Sequence, residues 1–174
     1  MICGECGFDN SEGVDACESC GSYLSPSVQV DTSTPFDAHL VSDVVDQLAA
    51  HPPLLVACEQ PVWEAVATMR EQRHGCVLVD EEGEVTGIFT EHDLLTKVIG
   101  AGKSPQSVAV GDVMTPDPVV LRRDDSLAVL VNKMAVGFFH HVPIVDTEGK
   151  VTGVVSARDV LDRLSELLHL PAEA

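Results

Sequence analysis

The sequence has few basic side chains. Its 174 residues include 28 Asp and Glu against 10 Lys and Arg, a formal net charge of −18 at pH 7, and no Lys or Arg precedes Arg70. Such a negative field repels phosphate backbones, so general nucleic-acid binding is disfavoured. The acidity indicates either a protein from a salt-adapted organism or an ordinary acidic protein of the cytoplasm, and composition leaves both open.

Long apolar runs and familiar catalytic signatures are also missing. No stretch of eighteen apolar residues predicts a membrane span. The N-terminal residues MICGECGFDN lack the basic and apolar regions of a secretory signal. The chain contains no G-x-S-x-G elbow, P-loop, G-x-G-x-x-G fingerprint or H-E-x-x-H zinc pattern. We therefore expect a cytoplasmic protein that is not an enzyme and has no membrane or nucleic-acid partner.

Four cysteines near the N-terminus have the spacing C-x2-C-x10-C-x2-C: Cys3, Cys6, Cys17 and Cys20. Each C-x-x-C pair brings two sulfurs to one metal, and four thiolates form a closed, structural Zn²⁺ site. Disulfides are disfavoured in a reducing cytoplasm, and redox catalysis expects one such motif beside a βαβ pattern. The spacing is similar to that of the zinc-ribbon family. We predict a zinc-ribbon-like knuckle over residues 1–22 that serves as a protein-contact or structural module.

A linker and an internal repeat follow. Residues 23–38 are rich in Ser, Thr, Pro and Asp, which predicts a linker. The segment TGIFTEHDLL at 86–95 then returns sixty-six residues later as TGVVSARDVL at 152–161. A duplicated unit usually folds as two similar modules that complete one core together, and a ligand site is expected where they meet.

Apolar periodicity predicts a short helix near 39–50 and then the order β-α-β-β-α, twice. Cys58 and Cys76 fall in apolar, strand-like runs, so we expect buried small hydrophobes rather than reactive thiols. The elements predicted for the first repeat are strands at 54–57, 76–80 and 84–89 and helices at 62–72 and 91–99. Those predicted for the second are strands at 119–121, 141–146 and 150–155 and helices at 126–136 and 157–168.

The two repeats resemble a tandem pair of cystathionine-β-synthase (CBS) domains, known as a Bateman module. The resemblance is carried by CVLVDEEG and VTGIFTEHDLL in one copy, and by VMTPDPVVL, HHVPIVDTEG and VTGVVSARDVL in the other. It implies an α/β (α+β) fold in which two β-α-β-β-α repeats, at 39–103 and 104–174, pack as a pseudo-twofold pair. It also implies a homodimer that signals to an unknown protein partner.

Two motifs, Thr90-x-x-Asp93 and Ser156-x-x-Asp159, each follow a strand and open a helix. A hydroxyl at the N-cap with a carboxylate three residues later is a capping box, which stabilises a helix start without any ligand. A helix start also suits phosphate, and a carboxylate accepts hydrogen bonds from ribose hydroxyls. The residues alone leave both interpretations open.

The resemblance adds a ligand to these motifs. In CBS pairs the hydroxyl contacts phosphate, the Asp holds ribose, and the base lies between strand edges of both repeats, so an adenine nucleotide (AMP, ADP, ATP or S-adenosylmethionine) is implied as regulatory ligand. For the second motif the implied residues are Ser156, Arg158, Asp159, Val154, His140, His74, Gly75, Leu54 and Pro53. For the first they are Thr90, Asp93, Ile88, Val119 and Phe139, with His74 and His140 shared.

The two motifs differ in charge. Arg158 offers a cation to a phosphate, whereas Glu91 would repel a phosphate beside Asp93. We therefore prefer the second motif as the nucleotide site and expect the first to be empty or purely structural. The alternative function is an interaction scaffold with unoccupied clefts.

Overall fold

The computed structural model describes residues 35–48, 50–81 and 83–168, together with Ser19. The predicted zinc knuckle, with Cys3, Cys6, Cys17 and Cys20, lies outside these residues, as does most of the predicted linker. The helices are α1 (Pro35–Ser42), α2 (Val62–Gln72), α3 (Glu91–Asp93), α4 (Leu127–Gly137) and α5 (Ala157–Leu168). The strands are β1 (Leu55–Val56), β2 (Cys76–Glu81), β3 (Glu84–Thr90), β4 (Thr115–Pro116), β5 (Leu121–Arg122), β6 (His141–Val145) and β7 (Val151–Ser156).

The predicted order β-α-β-β-α is found in both repeats. Helices α2 and α5 have the predicted bounds, and α2 follows Pro61, whose ring fixes a backbone φ compatible with a helix start. Helix α3 continues as a π-helix over Leu94–Ile99, which replaces the regular helix predicted for 91–99. The π-helix ends at Gly100, where an added Cβ would lie 2.9 Å from the Leu95 carbonyl oxygen.

Each repeat builds its own sheet. In the first sheet β1 pairs in parallel with β2, β2 pairs antiparallel with β3, and β3 pairs antiparallel with β4. In the second, β5 pairs in parallel with β6, and β6 pairs antiparallel with β7. The mixed α/β fold with two sheets that the sequence predicted is therefore confirmed.

The segment that leads into each repeat pairs with the sheet of the other repeat. Strand β4, which precedes the β-α-β-β-α elements of the second repeat, extends the first sheet through the pair Ile88–Thr115. His51, which precedes the β-α-β-β-α elements of the first repeat, forms an antiparallel bridge with Val154 in β7, with both backbone hydrogen bonds at 2.9 Å. Neither pairing was predicted, because each joins residues that are distant along the chain.

The glycine of each Thr-Gly pair, Gly87 in β3 and Gly153 in β7, leaves room for the segment that crosses its strand. A Cβ at Gly87 would lie 2.1 Å from the Met114 sulfur, and a Cβ at Gly153 would lie 3.2 Å from the Ala50 Cβ. The leading segments thus pass directly over the two glycines, where a side chain would hold them away from the strand.

Helix α1 differs from the prediction. It covers Pro35–Ser42 rather than 39–50, and a 3-10 turn follows at Val45–Gln47. The helix ends at Ser42, and the amides of Val45 and Asp46 donate instead to the carbonyls of Asp125 and Arg123 in the second repeat. The first strand of the second repeat also differs from the prediction, since β5 begins at Leu121 instead of 119.

Packing crosses the repeats in the same way. Val45 and Leu48 lie in the core of the second repeat with Leu127, Leu130 and Ile144. The core of the first repeat takes in Val110 and Val113, which come after that repeat in the chain. A third cluster, of Cys76, Leu78, Ile88 and Val154, contains residues of both sheets and joins the repeats. No helix within the described ranges is long and apolar enough to cross a bilayer.

Candidate functional site

Both motifs form capping boxes with nearly the same geometry. At the first, the Asp93 Oδ2 accepts from the Thr90 amide at 2.9 Å and from its hydroxyl at 2.7 Å. At the second, the Asp159 Oδ2 accepts from the Ser156 amide and hydroxyl, both at 2.7 Å. One oxygen of each carboxylate is therefore engaged by its own helix, and only Oδ1 can bind anything else.

The Oδ1 of Asp93 is held by a lysine on the same helical segment. The Lys97 Nζ lies 2.8 Å from this oxygen and also donates to the Thr115 hydroxyl at 3.0 Å. The Thr115 hydroxyl itself lies 3.4 Å from Oδ1. Asp93 is 5% exposed, so the ion pair compensates a carboxylate that is largely removed from water.

The Oδ1 of Asp159 is held by a histidine from the segment before β1. The His51 Nε2 lies 3.1 Å from it, across 108 residues of sequence. Arg163 corresponds to Lys97 in the repeat, but its guanidinium turns to the buried Asp43 at 2.6 Å and to Glu166 at 3.1 Å. His51 therefore takes the position that Lys97 and Thr115 share at the first motif.

A cavity of about 520 Å³ lies beside the first motif. Its walls come from the start of the helix after β3, from the segment around β4, and from the residues between α4 and β6. The lining residues are Ile88, Thr90, Glu91, His92, Asp93, Thr115, Asp117, Pro118, Val119, Gly137, Phe138, Phe139, His140 and His141. The cavity thus combines carboxylates, imidazoles and an apolar wall drawn from both repeats.

The structure brings most of the residues predicted for the first site together. Six of them line the cavity: Ile88, Thr90, Asp93, Val119, Phe139 and His140. His74 is not in the lining; its ring lies instead against His51, with centroids 5.3 Å apart. The cavity adjoins the first motif and not the second, which the sequence favoured. Which motif binds a ligand stays a prediction.

Several of the residues predicted for the second site pair with His51 or accept backbone hydrogen bonds through their carbonyl groups. Val154 forms the bridge with His51. The Leu54 carbonyl accepts from the Leu78 amide, the Gly75 carbonyl from the Glu91 amide, and the His140 carbonyl from the Ala157 amide. Pro53 is half-buried and Arg158 is exposed.

The residues that sequence reasoning missed at the two motifs include His51, Lys97, Thr115, Asp117 and Phe138. Lys97 follows Asp93 by four residues, a spacing that places both on one helix face and could have been read from the sequence. Phe138 and Asp117 have positive φ values of 54° and 46°, which are uncommon for residues other than glycine. No local pattern marks His51 or Thr115, because their partners belong to the other repeat.

Histidines gather at the second motif. Burial lowers the pKa of His74, and the nearby His51 lowers it further, against a smaller opposing effect of Asp159. Burial also lowers the pKa of His141, as does His140. These two imidazoles therefore favour the neutral form. Across the ranges that the structure describes, no group of three His, Cys, Asp or Glu has an arrangement that could hold a metal ion.

The two cysteines outside the predicted knuckle are free thiols. Cys76 is buried, and this burial, with a contribution from Glu91, raises the pKa of its thiol to about 12. A thiol with so high a pKa carries almost no thiolate at neutral pH and is unreactive. Cys58 is half-buried against the core of the first repeat. The prediction of a buried small hydrophobe is confirmed for Cys76.

Comparisons with known proteins agree with this fold. The family described as "CBS domain" matches residues 41–100 and again 110–166. An uncharacterized protein from Methanopyrus kandleri is 36% identical over 99 residues, which are 56% of this chain and 50% of that protein. The chain spans about half or less of the length of the first curated relatives that it matches.

Solved structures show the same fold. A CBS-domain containing protein from Agrobacterium tumefaciens is 30% identical with a TM-score of 0.64, over 70% of this chain and 98% of that one. A CBS domain pair solved in complex with 5′-methylthioadenosine and S-adenosyl-L-methionine is 23% identical with a TM-score of 0.63, over 71% of this chain and 99% of that one.

Proposed function

Because the chain belongs to the CBS-domain family, we propose that it is a regulatory protein that senses an adenosine derivative between its two repeats. Occupancy of the site would change how the repeats pack, and a partner protein would respond to that change. Such a protein catalyses no reaction on its ligand. We further propose that the cavity beside Asp93 is the place where the ligand binds.

The cavity carries this proposal. Its volume of about 520 Å³ falls within the range of about 300–1,000 Å³ that is typical of small-molecule sites. Ile88, Val119 and Phe139 offer an apolar wall for a base, and Asp93 offers a carboxylate oxygen. A ligand hydroxyl that binds Asp93 would displace or join Lys97, which now holds that oxygen.

Calorimetric titration with adenosine, 5′-methylthioadenosine, S-adenosylmethionine and AMP tests the proposal. The CBS pair solved with two adenosine ligands guides the choice of compounds. Its likeness to this chain shows the fold alone, so it does not decide which compound binds. We expect saturable binding of at least one compound, and a loss of about 1–3 kcal/mol in Asp93→Ala, because a hydrogen bond to a charged acceptor is removed. Absence of heat and of any thermal shift at millimolar ligand would contradict the proposal.

An interaction scaffold with unoccupied clefts is the second candidate. It is favoured by the contact between His51 and Asp159, which fills one motif with a side chain of the same protein. It is also favoured by the capping boxes, which explain both Asp side chains without a ligand. A native mass spectrum of protein purified without added ligand separates the candidates, since only a sensor retains a nucleoside or nucleotide.

We also propose a structural zinc site at Cys3, Cys6, Cys17 and Cys20, on their spacing alone. Metal analysis of the purified full chain tests it, with a single Zn²⁺ per chain expected and its loss in Cys3→Ser. The paired change Cys58→Ser, at a free thiol outside the motif, is the control and should leave the zinc content unchanged.

A homodimer is proposed on the family resemblance and on one structural feature. Leu95 and Ile99 are exposed on the helical segment after the first motif, and Leu161 and Leu168 are exposed on α5. Leu95 and Leu161 occupy matching places in the two repeats, and exposed apolar side chains of this kind suit contact with a second copy. Light scattering of the wild type and of Leu95→Glu/Leu161→Glu would test whether copies associate through these helices.

A further inference from the structure

The charge of the cavity beside Asp93 narrows the ligand class further. Three carboxylates, of Glu91, Asp93 and Asp117, belong to the lining, and no Lys or Arg does. A ligand that enters this space meets negative charge on more than one side. A phosphate group would add further negative charge to it.

The nearest lysine does not offset this charge for a ligand. Lys97 is already engaged by the Asp93 Oδ1 at 2.8 Å, the Thr115 hydroxyl at 3.0 Å and the Met114 carbonyl at 3.3 Å. Its ion pair neutralises the Asp93 carboxylate, and Lys97 itself is not in the lining. Glu91 and Asp117 are exposed and form no ion pair with any residue that the structure describes.

The remaining polar groups are imidazoles. His92, His140 and His141 belong to the lining, and burial lowers the pKa of His141, so that this ring favours the neutral form. A neutral imidazole donates only a single hydrogen bond. The His141 ring therefore does not supply the cationic clamp with which proteins usually hold phosphate.

The apolar wall, in contrast, suits an uncharged ring. Phe138 is 88% exposed and has a positive φ of 54°, and it lies next to Phe139 in the lining. The positive φ is that of the left-handed residue that ends α4, as Arg73 ends α2, and it leaves the Phe138 side chain exposed in the lining. An exposed aromatic ring in a cavity lining is available to stack on a base. Base binding therefore does not depend on the charged side of the cavity.

We infer that the cavity beside Asp93 selects nucleosides whose 5′ group is uncharged or positively charged over nucleosides that carry a 5′ phosphate. The inference rests on the proposed function, since it names the ligand class of the same cavity. It also gives Glu91 and Asp117 a role as specificity-determining residues that repel anionic ligands.

A series of ligands that differ only at the 5′ position tests the inference. Adenosine, 5′-amino-5′-deoxyadenosine and AMP are titrated into the full chain by calorimetry at about pH 8, where unperturbed histidines are neutral. We expect AMP to bind about tenfold more weakly than adenosine, or worse, and the amine to bind at least as tightly as adenosine. The double variant Glu91→Gln/Asp117→Asn should bring AMP to within about threefold of adenosine.

The control removes the same charge elsewhere. Glu71→Gln/Asp124→Asn changes two exposed carboxylates that do not line the cavity, and it should preserve the full difference between adenosine and AMP. If AMP binds the wild type as tightly as adenosine, or if the cavity variant keeps the difference, the inference is wrong while the sensor proposal stands. If none of the three compounds binds, the sensor proposal fails and the inference fails with it.

Discussion

The two motifs use one sequence pattern to build two different environments. Asp93 and Asp159 cap their helices through Oδ2 in nearly the same way. Their Oδ1 atoms differ, since Lys97 holds one beside an open cavity and His51 holds the other. A duplicated motif therefore conserves helix capping, which is local, while the surroundings that decide ligand access come from elsewhere in the chain.

The difference begins with a single charged pair. Arg163 stands where Lys97 stands in the first repeat, but Asp43 and Glu166 draw it away from Asp159. Asp43 belongs to the segment before β1, which packs on the second repeat. The segment before β1 therefore shapes the surroundings of Asp159 in two ways: Asp43 binds Arg163, and His51 binds the Asp159 Oδ1.

The largest expected effect follows from removing Arg163. Arg163→Met leaves the buried Asp43 without its main partner, so we expect a loss of about 2–3 kcal/mol in the free energy of unfolding. Lys97→Met should cost only about 1 kcal/mol, because Asp93 keeps its capping hydrogen bonds. Urea unfolding of both variants measures the difference, and Arg163→Lys controls for the loss of charge. Equal costs for the two Met variants would show that the motifs are more alike than the structure indicates.

A smaller effect is expected from the capping boxes themselves. Asp93→Ala and Asp159→Ala each remove the carboxylate of a capping box and leave the N-cap hydroxyl in place, which costs about 1 kcal/mol of stability. Because the Oδ2 geometry is shared, the two losses in unfolding free energy should agree closely. A much larger loss in Asp159→Ala would mean that His51 contributes more to that helix start than a partly exposed contact should.

His51→Ala should change binding more than stability. The His51 side chain is half exposed, so losing its contact with Asp159 should cost less than about 1 kcal/mol. Removing the imidazole frees the Asp159 Oδ1, and we expect calorimetry to show a second, weaker adenosine site in addition to the first. Thr115→Ala, at the corresponding place beside Asp93, is the control and should add no site. A wild type that already binds two ligands per chain would contradict the account.

The smallest effect is expected from acidification. The pKa values of His74 and His141 are lowered in the folded protein, so the unfolded chain binds protons more readily than the folded one near the ordinary value of 6.5. The contribution of these two histidines to the free energy of unfolding should therefore be fully present above pH 6.5. It should be lost as the pH falls from there toward their lower pKa values in the folded protein. Thermal melts between about pH 8 and about pH 5 measure the decrease, and His141→Gln should reduce it. A melting temperature that rises on acidification in this range would have the wrong sign.

The local features of this fold could be predicted from sequence, and the long-range ones could not. The bounds of α2 and α5, the strand pairs around each Gly turn and both capping boxes follow from periodicity and from residues a few positions apart. The bridge of His51 with Val154, the pairing of β4 with β3, and the contact of Arg163 with Asp43 across 120 residues have no local pattern. Helix α1 was placed too far along the chain for the same reason, since its end is set by residues 123–126.

The candidate site shows the same division. Thr90 and Asp93 follow from the motif, and Ile88, Val119, Phe139 and His140 follow from the family resemblance. The contacts of Thr115 with Lys97 and Asp93 and the contact of His51 with Asp159 depend on how the repeats pack. The preference for the second motif weighed charge alone, because the sequence does not show which motif adjoins a cavity.

A crystal structure of the full chain soaked with 5′-methylthioadenosine tests the central claim most directly. The account predicts ligand density beside Asp93, with the base against Phe138 and Phe139 and with His51 still bound to Asp159. Density at Asp159, with His51 displaced and the cavity beside Asp93 empty, would contradict it.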